Sequence, residues 1–379
     1  MKSFNNANIY VEGKGIITTS LAFDSQIKEI CQNKQFENSI EIPKNCTVFP
    51  GFIDGHIHGA GGSDTMDGTF EALDVISKTV AKEGTTTFLP TTMTCEKEQI
   101  ISALENVKNF TNDGNGAKIL GVHLEGPFIS KKFKGAQNES CIEKPNVSLM
   151  QEFILASGNK IKIVSIAPEE DDNFELIKFL DGNGIIPSIG HSAGKYKDVL
   201  GAVNNGAKSI THTYNAQSGL HHREIGVVGS ALLIDDLNTE VICDTIHVSL
   251  PAIKVLLKSK PKEKVLLITD AMRAKGLSDG LSELGGQTVY VKDGEARLED
   301  GTLAGSILKM NDAIKNLVQK VGVNLLDAID YATINPAKYL GVEKEIGSIK
   351  EGKRADFTVL DENFNVYMTI VDGKVVFQK

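Results

Sequence analysis

The sequence predicts an α/β fold: a (β/α)8 TIM barrel with a small β-sandwich domain formed from both termini. Three observations lead there. Eight short apolar, β-branched runs recur between residues 48 and 270, with helix-length segments between most of them. Strand alternating with helix implies a parallel sheet, and eight such units suggest closure. The runs are near-continuous hydrophobics, as strands buried on both faces should be.

The eight runs are 48–58, 86–93, 118–125, 160–168, 184–191, 207–213, 239–247 and 264–270. Segments 70–83, 96–110, 170–180 and 196–204 carry apolar residues at helical spacing. Residues 306–340 read as helices closing the barrel end. Residues 7–49 and 347–379 are instead strand-like pieces separated by Gly, Asn, Asp and Lys. Val371-Asp372-Gly373-Lys374-Val375 sets an Asp-Gly turn between β-branched segments, a hairpin signal. We therefore expect a discontinuous β-domain (1–49 and 347–379) around a barrel domain (50–346).

A chain of 379 residues exceeds the usual single core, in keeping with one large and one small domain. The net charge of −9 disfavours nucleic-acid and anionic-membrane surfaces, although a small anionic substrate needs only one or two local cations. No segment approaches the roughly 20 apolar residues of a membrane span. Cys31, Cys46, Cys95, Cys141 and Cys243 are an odd, scattered set without a CxxC pair. They read as free thiols in a reducing compartment, so a cytoplasmic location is expected and a thiolate zinc site is not.

The chain has eight histidines, and six of them end an expected barrel strand: His56, His58, His123, His191, His212 and His247. Barrel enzymes build their sites at the C-terminal strand ends, so this placement is the main argument for function. His56 and His58 are two apart in a strand and share a face, so both can reach one metal. Taken alone, the pair reads more readily as satisfied core or surface residues than as ligands. Glu125 ends the third run, where a carboxylate among apolar residues is costly unless it is paired or bound to a cation. His123 reads as a hydrogen-bonded support residue. His191 and His212 lie at equivalent heights beside that carboxylate, which favours a metal site. Imidazole and carboxylate suit zinc, iron or manganese alike. Asp270 ends the eighth run, as a cap for the segment that follows or as a general base.

Pro50-Gly51-Phe52-Ile53-Asp54-Gly55-His56-Ile57-His58 resembles the opening signature of the amidohydrolase superfamily. Further motifs narrow the resemblance. They are His123-Leu124-Glu125-Gly126-Pro127-Phe128, Gly190-His191-Ser192, Thr211-His212-Thr213-Tyr214-Asn215-Ala216, Leu220-His221-His222-Arg223-Glu224 and Thr269-Asp270-Ala271-Met272. Together they are similar to the N-acetylglucosamine-6-phosphate deacetylase family, over nearly the whole chain. The resemblance implies Glu125, His191 and His212 as main metal ligands. It implies His56 and His58 as ligands of a second ion, since some relatives with one metal lack that pair. It implies substrate contacts at Ala136, Gln137, Asn215, Ala216, Arg223, His247, Leu303, Ala304 and Gly305. Arg223 is the implied phosphate ligand, acting in its own or a partner's site, which implies a homodimer. Two departures stand out. Gln137 occupies a place where some relatives have a histidine that polarises the acetyl carbonyl, and Gln217 replaces an expected methionine.

The expected reaction follows. One or two divalent ions lower the pKa of a bound water, the hydroxide attacks the amide, and Asp270 passes the proton to the leaving amine. The products are D-glucosamine 6-phosphate and acetate, in amino-sugar catabolism. One alternative is a deacetylase of N-acetylgalactosamine 6-phosphate. Another is an amidohydrolase that bridges two metals with a carboxylated lysine at the end of strand four. Lys162 lies near that strand's start, which lowers the second alternative. A non-catalytic barrel is opposed by the full ligand set.

Overall fold

The computed structural model describes residues 1–32 and 34–379. Two parallel sheets carry the candidate site. In the first, Phe52–Ile57, Thr85–Pro90 and Lys118–Ile119 lie side by side. In the second, Val122–Glu125, Ile161–Ile166, Ile186–Ile189, Ser209–Ile210, Asn238–Ile242 and Val265–Ile268 follow one another in chain order. Parallel bridges at Thr91 to His123 and at Ile57 to Ala271 connect the sheet edges. The Asp270 N–H donates to His56 O at 2.9 Å, and the His58 N–H to Ala271 O at 2.8 Å.

Each of the eight apolar runs contains strand, but two of them divide. Residues 48–58 form two strands that part at Gly51: Cys46–Pro50 joins the terminal sheet and Phe52–Ile57 joins the parallel one. A Cβ on Gly51 would collide with the Thr86 side chain, so this crossing point requires glycine. Residues 118–125 break between Ile119 and Val122, each half pairing with a different neighbour.

The helices follow their local signals. Phe70–Ala81 starts where the Thr69 hydroxyl accepts the Ala72 N–H, and it buries Ala72, Leu73, Ile76 and Val80 on one stripe. Lys97–Asn109 and Tyr196–Asn204 occupy the segments expected from periodicity. Among the described residues no helix is long and apolar enough to cross a membrane.

Both chain ends supply one seven-stranded sheet. Its order is Lys374–Gln378, Val366–Val371, Phe357–Asp361, Cys46–Pro50, Lys2–Val11, Gly15–Phe23 and Ile27–Cys31. The Asp-Gly hairpin forms as read: Val371 pairs with Lys374, and Asp372 and Gly373 both take positive φ (52° and 73°).

A three-stranded antiparallel sheet went unread in the sequence. Gly280–Leu284, Gln287–Lys292 and Glu295–Arg297 follow the eighth parallel strand. Leu284, Val289 and Val291 pack with Met93, Met272 and Ala304.

Candidate metal centre

Four histidines and two acids meet at the C-terminal ends of the parallel strands. Glu125 Oε1 lies 3.0 Å from His212 Nε2, 3.3 Å from His191 Nε2 and 3.4 Å from His56 Nε2. Glu125 Oε2 lies 3.2 Å from His58 Nε2. Asp270 Oδ1 faces His58 and His56 at 3.3 and 3.5 Å. All six side chains are buried.

Backbone conformation aims several of them. His191, His212, Tyr214, Ala216 and Asp270 take positive φ, an arrangement that costs a non-glycine residue of the order of 1–3 kcal/mol. These residues lie just past strand ends, where leaving the extended conformation turns the side chain across the mouth of the sheet.

The ring nitrogens are also assigned. His58 Nδ1 lies 3.2 Å from Thr91 O and His191 Nδ1 2.9 Å from Phe133 O. His56 Nδ1 lies 3.2 Å from Glu240 Oε2. With the Nδ1–H of His56, His58 and His191 given to these acceptors, their Nε2 atoms present lone pairs to the centre. His191 Nε2 and His212 Nε2 stand 3.1 Å apart, and the buried His56 Nε2 has no hydrogen-bond partner. Lone pairs crowded against carboxylates are repulsive unless positive charge sits among them. The donor set therefore fits a divalent cation.

The electrostatics express the same demand. Burial alone would raise Glu125 and Asp270; the charge of His56 and the hydrogen bonds of the neighbouring imidazoles outweigh it. Glu125 is held well below the carboxylate range and Asp270 falls to about 2. Burial opposes charge on His58, but hydrogen bonds to Asp270 and Glu125 lift it to about 10.

Among the described residues, three groups of side chains bring ligand atoms within 4.8 Å of one another: His56, His58 and Glu125; Glu125, His191 and His212; and His56, His123 and Glu240. The third differs from the others. His123 Nε2 lies 2.8 Å from Ser165 Oγ and its Nδ1 3.3 Å from Gly55 O, so both nitrogens are occupied. The support role read for His123 agrees with that.

A cavity of about 200 Å³ opens over these residues. His58, Glu125, Ala136, Gln137, His191, His212, Asn215, Ala216, His247, Asp270, Leu303 and Gly305 line it. Met93, Gly135, Leu284 and Thr302 line it too and went unread. His56 sits beneath, and Ala304 is buried behind the wall. Arg223 does not line the cavity; it is exposed, its NH1 2.8 Å from His222 Nε2.

Gln137 has both amide ends engaged, accepting the Thr94 N–H at 2.7 Å and donating to Glu125 Oε2 at 2.8 Å. It braces the central carboxylate. Gln217 is buried and donates to Thr211 O. His247 Nδ1 lies 2.6 Å from Asp244 Oδ2, which leaves Nε2 for a ligand. Lys162 is the second residue of Ile161–Ile166, at the end of that strand away from the site. Glu240 was missed. The signal was a glutamate within the apolar run Thr239-Glu240-Val241-Ile242, the same anomaly that singled out Glu125.

Residues 47–376 match the Amidohydrolase family. An N-acetylglucosamine-6-phosphate deacetylase of Bacillus subtilis (strain 168) is 43% identical over 346 residues, covering 90% of this chain and 87% of the relative. An N-acetylgalactosamine-6-phosphate deacetylase of Escherichia coli O157:H7 is 36% identical, covering 86% of each. The crystal structure of N-acetylglucosamine-6-phosphate deacetylase from Thermotoga maritima superposes with a TM-score of 0.90 at 36% identity, covering 100% of both chains. With the family motif running through the same strand ends that assemble the histidines and Glu125, the chain belongs to the amidohydrolase family.

Proposed function

We propose that the chain is a metal-dependent hydrolase that removes the acetyl group from N-acetyl-D-glucosamine 6-phosphate, yielding D-glucosamine 6-phosphate and acetate in amino-sugar catabolism. One observation carries this reading: Glu125 gathers the Nε2 atoms of four imidazoles within 3.4 Å, under a cavity open to solvent. Likeness to deacetylases of that sugar phosphate supplies the substrate. The galacto epimer is the second reading, favoured by likeness to a deacetylase of N-acetylgalactosamine 6-phosphate.

Glu125, His191 and His212 would hold one divalent ion, zinc, iron or manganese, and His56 and His58 with Glu125 a second. Such an ion, when bound, makes water acidic enough to react near neutral pH and polarises the acetyl oxygen. Asp270 is the general base and acid. Its carboxylate is ionised and aimed into the cavity, and its backbone is fixed between His56 O and the Ser306 N–H, at 2.9 and 2.8 Å. It accepts the proton of the attacking water and returns it to the amine as the C–N bond breaks. His247, held by Asp244, and Asn215 orient the sugar. Ala136, Gln137, Ala216, Leu303, Ala304 and Gly305 shape its seat, with Gln137 also bracing Glu125.

Among the described residues no lysine or arginine lines the cavity. A substrate phosphate there needs a cation from outside, and Arg223 of a second copy supplies one, so the working unit is a homodimer. Five unpaired cysteines support a cytoplasmic location.

The architecture behind this reading is a closed (β/α)8 barrel spanning 50–346. The bridges at Thr91 and Ile57 and the Asp270-to-His56 hydrogen bond support joining the two parallel sheets into one. The terminal sheet, 1–49 with 347–379, folds over as a small sandwich. Phe23 and Phe357 stand three strands apart, about 14 Å in a flat sheet, yet their rings meet at 5.2 Å.

The deciding measurement is acetate release from N-acetylglucosamine 6-phosphate and its galacto epimer, with metals counted on the same preparation. Absence of release from both would end the proposal.

A further inference from the structure

Glu240 lies inside the seventh parallel strand, outside the cavity wall, and the reaction as written does not use it. It is buried, and among the described residues no lysine or arginine pairs with it. A buried carboxylate without positive charge nearby is costly. Among the described residues its one ion pair is with His56, through Oε2 and Nδ1 at 3.2 Å. The same oxygen accepts the backbone N–H of His212 at 3.1 Å, and the Glu240 carbonyl accepts the N–H of Thr213 at 2.8 Å. One side chain thus ties the strand-one imidazole to the backbone at the end of strand six.

His56 is set apart by this contact. The Nδ1 atoms of His58 and His191 face neutral backbone carbonyls, whereas that of His56 faces a carboxylate. A carboxylate behind an imidazole fixes the tautomer and makes the other nitrogen a stronger donor. That nitrogen, His56 Nε2, is buried and makes no hydrogen bond.

We propose that Glu240 is the positioning residue for His56, so that a divalent ion held by His56 and His58 depends on Glu240 while one held by Glu125, His191 and His212 does not. This rests on the ligand reading given under Proposed function.

The test is a double-mutant cycle read by zinc affinity, measured by chelator competition on the full-length protein. Glu240→Gln keeps an acceptor oxygen for both N–H groups and removes the charge. It is expected to weaken, about 10- to 100-fold, the zinc that His56→Ala also removes and to leave the other unchanged. In a His56→Ala background the same substitution should have no further effect, because its action runs through the ring. A merely structural role would lower affinity equally in both backgrounds, and that result overturns the proposal. So does a Glu240→Gln protein with wild-type affinities, or a wild type that binds a single zinc untouched by His56→Ala. A wild type that binds no divalent ion instead overturns the proposed function itself. If Glu240→Gln is recovered unfolded, the same cycle with Glu240→Asp carries the same outcomes.

Discussion

Two pairs of histidines lie in this chain, and they have opposite fates. His56 and His58 are separated by one residue at the end of a buried strand; their rings are 5.4 Å apart and both face Glu125 and Asp270. His221 and His222 are adjacent on an exposed loop; their rings are closer, at 4.1 Å, yet they face solvent and Arg223. Proximity of imidazoles is therefore not what builds a centre. The period of two in a strand sends His56 and His58 to one side while the intervening Ile57 packs into the core. Burial then withholds water, so the rings must find acceptors and charge within the protein. The loop pair lies in solvent and carries no such demand.

The comparison can be broken from either side. The largest expected effect is at Asp270, which faces the first pair: Asp270→Asn should lower kcat by about 10²- to 10⁴-fold with metal content intact. Wild-type turnover in that variant would remove Asp270 from the chemistry. Next, His56→Ala should lose zinc by at least the roughly 10- to 100-fold in affinity that an outer partner alone is worth; metal counts per subunit read this directly. On the loop, Arg223→Ala should raise KM for the phosphorylated substrate about 10- to 100-fold, the weight of a charge-assisted hydrogen bond, and leave the unphosphorylated sugar unaffected. Equal effects on both sugars would sink the phosphate assignment. Mixing Arg223→Ala with Asp270→Asn subunits should restore the wild-type KM for the phosphorylated substrate at about half the wild-type turnover, because the arginine acts across the dimer; a KM that stays raised would break that assignment. The smallest effect belongs to the double variant His221→Ala, His222→Ala: metal content unchanged, and stability within about 0.5 kcal/mol by thermal unfolding.

Much of this was legible in the chain because its signals are local. Apolar runs of strand length, the Asp372-Gly373 turn and the strand-end histidines each depend on neighbours a few residues away. Glu240 and Gln137 were harder. Glu240 carries a local anomaly, but its partner His56 lies 184 residues away. Gln137 was read as a substrate contact, and only the fold reveals that Thr94 and Glu125 occupy both ends of its amide. The sheet at 280–297 alternates modestly, and its burial against Met93 and Met272 is a long-range fact.

What the sequence by itself determined is which residues stand at strand ends, since periodicity and chain order are properties of short segments. The tertiary structure alone decided which nitrogen of each ring faces the centre. It also decided that Glu240 backs His56 and that Arg223 stays outside the cavity. Those outcomes depend on hydrogen bonds and burial between segments far apart in the chain, whose distances no local pattern encodes.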